Sequence, residues 1–430
     1  MLFKKSKTKF YFMSKKSNII AVDLGSSNIR IAVSQYFPEE DDLRIIGIET
    51  VPADGMRRGA VIDLEEASKS IASAINFAEK KTGANFESVT ASISGSDIVL
   101  QNSKGVVAVG RADGEVAEDD IKRVLEAAQT ISMPLNREIV HISPRSYRLD
   151  DQDSIRDPLG MNGVRLEADV MIIEDSVNHI KNISKSIYNA GVEIDNLVFS
   201  PLAAAESVLT RKQKELGVAV VDIGAGVTSI AVFEEGDLIH AAVLPVGAGH
   251  ITNDIAIGLR TSIDVAEKIK LEFGTASMEG VDYDEEIDLS LIDSNETESV
   301  SRYHVMEIID ARMEEIFNMV NDELRAIRKD GLLPAGVVLV GGGSELPGVV
   351  EFSKKSLGLP AQIGIPRGVG GLIDKIDSPS FATVTGLLLW EKNHGSFKKS
   401  GRFMKDFGGV KGNVSDATEK AKKWIGKFLP

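Results

Sequence analysis

Two aspartates, set alike in two related segments, carry the first chemistry in this chain. Residues 18–33 read NIIAVDLGSSNIRIAV and residues 217–232 read GVAVVDIGAGVTSIAV. In each, an apolar β-branched run ends in an aspartate, Asp23 or Asp222. A glycine stands two positions later, and an Ile-Ala-Val triplet begins eight positions on. This pattern predicts a β-hairpin whose glycine-bearing turn presents backbone N–H groups, suited to phosphate. A single hairpin of this kind is common in ordinary half-buried sheets. Two with matched internal offsets, 199 residues apart, imply a duplicated lobe and a cleft with one phosphate-facing hairpin on each side. A third glycine cluster, VVLVGGGSELPG at 337–348, reads as a buried strand running into Gly341, Gly342 and Gly343, with Ser344, Glu345 and Pro347 opening a helix. Glycines there let a flat ring or a phosphate approach the backbone closely. No G-x-x-x-x-G-K-[ST] occurs, which excludes a P-loop, and the cluster lacks the G-x-G-x-x-G spacing of a dinucleotide site.

The elements that position these residues must come from a chain of 430 residues, 43% hydrophobic and 26% charged, the profile of a globular protein of two or more domains. No apolar run approaches the ~18 residues of a spanning helix. Residues 1–17 carry lysines but no apolar core, so no signal peptide is expected and the chain is expected in the cytosol; Met13 is an alternative start to Met1. The absence of cysteine excludes disulfides, thiolate catalysis and sulfur-ligated metal, and the six histidines lack ligand spacing. The net charge of −15 is divided unevenly. Residues 1–17 and residues 391–430 contribute +6 each, leaving −27 on the body between them. An acidic body repels nucleic acid and anionic lipid, so no nucleic-acid partner is expected and any membrane contact goes through the basic ends.

Periodicity divides the chain further. Residues 18–99 form a first lobe, to which 176–216 return, with a helix over 64–81 burying Ala67, Ile71, Ala74, Ile75 and Ala78. Residues 100–175 read as an inserted α+β module with strands at 105–109 and 164–173, a helix at 117–130 and a loop near 150–163. Residues 217–390 form a second lobe containing a helix over 301–329, whose Val305, Ile309, Met313, Ile316, Val320 and Leu324 make a core stripe. The acidic stretch 279–298 is expected on the surface, a helix over 381–390 closes the body, and 391–413 reads as a flexible basic linker. Residues 414–430 predict an amphipathic helix capped by Ser415. Its apolar face carries Trp424, Ile425, Phe428 and Leu429, and Lys420, Lys422, Lys423 and Lys427 flank that face. Such a helix suits anionic membrane lipids, with docking on the acidic body as the alternative. One tail is a weak anchor; many on one filament hold through effective concentration.

The order DLGSS at 23–27, SPLAAA at 200–205, DIGAG at 222–226, VGGGS at 340–344 and SFATVTG at 380–386 resembles the motifs of the actin, Hsp70 and sugar-kinase ATPase superfamily. Within it the chain resembles the FtsA family of bacterial cell division over most of its length. VGAGHITNDIA at 246–256, AEKIK at 266–270, IIDARMEE at 308–315 and the basic amphipathic tail carry that likeness. Residues 1–17 lie outside it.

The resemblance implies an actin-like, two-lobed α/β fold of duplicated ribonuclease-H-like lobes with a small inserted α+β subdomain, binding ATP and Mg2+. Asp23 and Asp222 would hold hydrated magnesium. The amides of 24–27 and 224–227, including Gly25, Gly224, Ala225 and Gly226, with the Ser26 and Ser27 hydroxyls, would cradle phosphates. Glu267 and Lys270 would lie near ribose and adenine, opposite Gly342, Gly343 and Ser344; an ordinary helix with charge pairing is the other reading of Glu267 and Lys270. Ser200 stands where relatives of actin position water with Gln or Glu, so slow hydrolysis at most is expected, with Thr228 orienting a water and Glu206 a poor substitute. The implied role is a peripheral protein on the inner face of the cell membrane at the division site. There it would polymerise, anchor the FtsZ ring through the FtsZ C-terminal peptide and recruit later division proteins. Arg312 is the expected contact for that acidic peptide, unless it is spent on a salt bridge within its own helix. The inserted module would serve self-association and partner contact, or be a packing insertion. The alternatives are a type IV pilus scaffold, which lacks such a tail, and a small-molecule kinase, which needs a substrate carboxylate not identifiable in the first lobe. An Hsp70 chaperone is not expected, since only the 40 residues 391–430 follow the body in this sequence.

Overall fold

The structure, a computed structural model, describes residues 17–130, 134, 136–278, 282–294 and 298–394. The 1–16 extension, the linker beyond His394 and the amphipathic tail, with its expected membrane residues, lie outside them.

In chain order the first lobe opens with β1 (Ser17–Leu24), β2 (Asn28–Phe37), β3 (Asp42–Pro52), the short pair β4 (Met56–Arg57) and β5 (Ala60–Val61), α1 (Leu64–Thr82) and β6 (Ser88–Ile93). The insert follows as β7 (Val99–Ala108), α2 (Glu118–Gln129), β8 (Arg137–Leu149), β9 (Gln152–Ile155) and β10 (Arg165–Ser176). The chain returns through α3 (Val177–Asn189), β11 (Glu193–Phe199), α4 (Ser200–Val208) and α5 (Arg211–Leu216). The second lobe begins with β12 (Val218–Ile223), β13 (Thr228–Glu234), β14 (Asp237–Leu244), α6 (Ala248–Leu259) and α7 (Ile263–Phe273). It continues with β15 (Glu286–Asp288), β16 (Ser299–Ser301), α8 (Arg302–Ala326), β17 (Val337–Val340), α9 (Val349–Leu357) and β18 (Ala361–Ile363). Last come β19 (Gly370–Gly371) and α10 (Ala382–His394).

The duplication is visible in sheet order. The first sheet runs β11-β6-β1-β2-β3-β19 and the second β18-β17-β12-β13-β14. Setting β19 aside, the two orders match strand for strand: an antiparallel meander of three strands, then two parallel strands added beside the first. Parallel strands need crossovers, and helices supply them.

Helices form where the sequence repeats every three to four residues. Asp63 caps α1 by accepting from the Glu65 and Glu66 amides, Gly83 ends it at φ +68°, and Ala67, Ile71, Ala74, Ile75 and Ala78 are all buried. The stripe of α8 from Val305 to Leu324 is fully buried in the second core. Both match the periodicity.

Several expectations change. The insert's sheet, β7-β10-β8-β9, includes the 13-residue β8, which the sequence did not suggest, and β9 lies within the expected 150–163 loop. Within the acidic stretch, β15 pairs with β16, and Ile287 and Leu289 are buried in the second core, so the stretch is surface only in part. The second lobe does not keep all of 217–390. β19 pairs with β3, and Leu387, Leu388 and Leu389 of α10 pack, together with Ala203 of α4, against Ile19, Ala21 and Leu43 of the first sheet. The expected linker also starts too early, since 391–394 are helical and Glu391 accepts from Thr90 Oγ1 (2.9 Å) and Asn196 Nδ2 (2.7 Å).

Candidate functional site

The two equivalent hairpins meet at one cleft of about 340 Å³. β1 and β12 each deliver their aspartate one residue before the strand ends, and the adjoining parallel strands place the cleft beyond their carboxyl ends, the usual position for ligands in open α/β sheets. Asp23, Gly25, Ser26, Ser27, Asp222, Gly224, Ala225 and Gly226 all line it. The two turns touch. A Cβ on Gly226 would fall 2.6 Å from Ser26 Oγ and 2.9 Å from the Arg58 backbone, so only glycine fits between the lobes. A Cβ on Gly341, already at φ +83°, would come within 2.2 Å of Asp222 Oδ1.

Some expected amides are already used. Leu24 N–H donates to Ser92 Oγ (2.8 Å), Gly25 N–H to Asn28 O (3.2 Å) and Gly224 N–H to Val227 O (3.0 Å). The part of each turn left for a ligand is therefore Ser26 with Ser27, and Ala225 with Gly226 and Val227.

The floor is strongly coupled. Asp23 accepts from Ser92 Oγ (2.8 Å) and Asp222 from Thr383 Oγ1 (3.4 Å). Burial pushes the Asp222 carboxyl up to about 7, the charge of Asp23 adds to this, and Thr383 and Arg30 pull the other way. Burial raises Asp23 too, against Arg30 and the Ser92 hydrogen bond.

Arg30 is the residue that sequence reasoning missed. In the β1–β2 register it stands directly opposite Asp23, and in the second hairpin Ser229 holds the equivalent place opposite Asp222. Arg30 lines the cleft, its guanidinium lies 5.5 Å from the Phe381 ring centroid, and its Nε is buried with no hydrogen-bond partner among the described residues. A buried donor without an acceptor is costly, so this N–H suits an anionic oxygen in the cleft. Counting cross-strand partners around the predicted turn was the available signal.

On the far wall, Glu267 and Lys270 of α7 line the cleft; Lys270 Nζ reaches Glu267 Oε2 (2.6 Å) and Thr252 Oγ1 (2.9 Å). The charge pairing and the cleft position coexist. Gly342 and Gly343 line the same wall, but Ser344 does not: it is buried and donates its hydroxyl back to Val340 O (2.5 Å). The expected helix start at Ser344 is a short 3-10 turn, Gly342–Glu345. α9 begins only at Val349, after Gly348 turns the chain at φ +80°, and Glu345, Leu346 and Pro347 fill the wall instead.

Thr228 is also corrected. It is fully buried and absent from the lining, while Ser229 faces the cleft and meets Ser94 Oγ at 3.3 Å, because neighbouring strand residues point to opposite faces. Ser200 does line the cleft and donates to Ile93 O (3.2 Å). Glu206 pairs with Lys214 (2.7 Å) outside it. Arg312 is remote from the cleft. It forks onto Asp254 of α6 (2.7 and 3.0 Å) and pairs with Glu315 in its own helix. Among the described residues, no three His, Cys, Asp or Glu side chains gather as a metal site, and no helix is long and apolar enough to cross a membrane.

Comparison with known proteins places this geometry. The family profile "Cell division protein FtsA" matches residues 219–386, and "SHS2 domain inserted in FTSA" matches 95–174. The chain is 38% identical to the cell division protein FtsA of Pseudomonas aeruginosa over 372 residues, 86% of this chain and 88% of that one. It is 35% identical to that of Bacillus subtilis (87% and 84%) and 33% identical to that of Escherichia coli K12 (87% and 90%). Among solved structures, a PilM-PilN type IV pilus biogenesis complex superposes with TM-score 0.62 at 17% identity (86% of this chain, 97% of that one). MreB5 of Spiroplasma citri bound to ADP superposes with TM-score 0.52 at 14% (89% and 99%). At such identities these two structures speak for the actin-like fold alone.

Proposed function

The chain belongs to the FtsA family of cell-division proteins, and from that premise we propose that it binds MgATP in the cleft, assembles into filaments on the inner face of the cell membrane, anchors the FtsZ ring there and recruits later division proteins. The observation that carries the nucleotide reading is Arg30, half-buried in the cleft, whose buried Nε–H is unused beside two carboxylates and two glycine turns. Asp23 and Asp222 would hold magnesium through water, since this small cation dehydrates reluctantly and usually keeps several of its waters. Bound magnesium would neutralise phosphate charge. Arg30, the Ser26 and Ser27 hydroxyls and the turn amides would bind phosphate oxygens, Gly226 letting both turns close on them. Glu267 and Lys270 would face the ribose and base across Gly342 and Gly343.

Binding is better supported than turnover. Ser200 and Ser229 offer hydroxyls but no carboxylate or amide to orient water, and Glu206 is engaged elsewhere. The nucleotide on this reading sets the assembly state, with hydrolysis slow. Membrane attachment rests on the amphipathic sequence at 414–430, Lys420, Lys423, Trp424, Ile425, Lys427, Phe428 and Leu429 above all, which offsets the acidic body. Arg30→Met keeps length and removes the charge; it should weaken ATP binding about tenfold to a hundredfold by calorimetry, the range of a lost charged hydrogen bond. Unchanged affinity sinks Arg30's role.

A further inference from the structure

The inserted module ends against the first phosphate turn through a buried histidine. Its last strand, β10, closes with Asp175 and Ser176, and Ser176 caps α3 by accepting from the His179 amide (3.1 Å). The strand-to-helix turn sets Asp175 and His179 side by side, both buried, with His179 Nδ1 2.5 Å from Asp175 Oδ2. His179 Nε2 lies 3.1 Å from the carbonyl oxygen of Gly59. A carbonyl only accepts, so Nε2 donates; a carboxylate accepts, so Nδ1 donates as well. Only an imidazolium makes both bonds. Burial opposes that charge, but Asp175, the Gly59 carbonyl and the nearby Asp97 outweigh it and hold the ring above its ordinary value.

Gly59 in turn reaches the cleft. It is the second central residue of the two-residue turn between β4 and β5, with Arg58 at φ +50° and Gly59 at +78°, the left-handed pair of a type I′ hairpin. Its N–H donates to Ser26 Oγ at 2.8 Å. Having accepted that bond, the Ser26 hydroxyl keeps its own proton free to donate into the cleft. On the other side, the Arg58 backbone packs against Gly226 of the second turn. The hairpin tip thus sits between the two phosphate turns, and His179 holds it.

We propose that His179 is a positioning residue for the phosphate turn, coupling the inserted module to nucleotide binding through Asp175, Gly59 and Ser26. β10 pairs with both β7 and β8, so a shift of the insert on meeting a partner moves Asp175, and by reciprocity nucleotide in the cleft alters how readily the insert shifts. The proposal rests on the nucleotide reading above for its ligand, but its first test needs no ligand.

That test is hydrogen exchange on the full nucleotide-free chain. His179→Gln, which can serve only one of the two partners, and Asp175→Asn should each speed exchange about tenfold in both 56–61 and 24–28, with the rest of the first sheet unchanged. Protection unchanged in either segment overturns the relay, whether or not the chain binds ATP. With ligand, both variants should lower MgATP affinity about tenfold while leaving AMP affinity unchanged. His179→Gln should add no further loss on top of Ser26→Ala, because both act through one hydroxyl. Equal losses for ATP and AMP, or fully additive losses, mark a merely structural histidine and overturn the proposal. A wild-type chain with normal protection but no ATP binding counts against the nucleotide reading alone.

Discussion

Asp222 stands on β12 between β13 and β17, at the floor of the cleft and near the charge of Asp23. Its folded value of about 7 against an ordinary 3.8 means the folded chain holds a proton that the unfolded chain has released between pH 4 and 7. Its contribution to stability therefore falls as pH rises through that window and stays low above it. A dication favours the ionised form, so MgATP binding should release this proton. Affinity should weaken from pH 8 to pH 6 in the wild type, and Asp222→Asn should flatten the profile while weakening binding throughout. A flat wild-type profile in calorimetry counts against a magnesium-bearing Asp222. Asp23 and Asp222 were legible because matched offsets are a property of sequence. The facing of Thr228 was not, because a strand's register decides which of two neighbours faces the cleft and a one-residue shift exchanges Thr228 for Ser229; nor was Ser344, whose hydroxyl turns back to Val340 O within its 3-10 turn.

Among the elements, helices with clean stripes, α1 and α8, were readable because their buried faces repeat locally. β8 was not, since its pairing with β10 across an intervening loop defines it, and β9, β15 and β16 were too short, at three or four residues, to show an alternation; β19 and α10 return to the first sheet through contacts no local pattern announces. The end of α10 is tied down further. Trp390 lies between His141 of β8 (5.3 Å) and His394 (4.3 Å), and burial, then the charge of His394, lowers His141 to about 4, which keeps it neutral to accept from the Phe199 amide (3.0 Å). The end of α10 thus touches the insert. At the α6–α8 contact, Asp254 already occupies the fork of Arg312, so if an acidic FtsZ peptide docks at Arg312, as proposed, it has to compete with Asp254. Asp254→Asn is then expected to tighten peptide binding about threefold at low salt and Arg312→Glu to weaken it, a rim-charge effect that salt should erase. Fluorescence anisotropy reads this directly; if neither substitution moves the affinity while both lower Tm, Arg312 only braces the two helices.

At the scale of the whole molecule, the proposed membrane attachment would bring a body of −27 to an anionic surface that repels it, and the basic, amphipathic end of the sequence is the proposed means. One tail binds weakly, so attachment should depend on assembly, and assembly on the nucleotide cleft. The measurement that joins these links is co-sedimentation of the full chain with phosphatidylcholine–phosphatidylglycerol vesicles across protein concentration, with and without MgATP. Binding should rise steeply with concentration in MgATP, rise only gradually without nucleotide, and disappear for Trp424→Glu, which should still bind ATP. Pelleting that is proportional to concentration, indifferent to nucleotide or retained by Trp424→Glu would contradict a nucleotide-set filament held to the membrane by its tails.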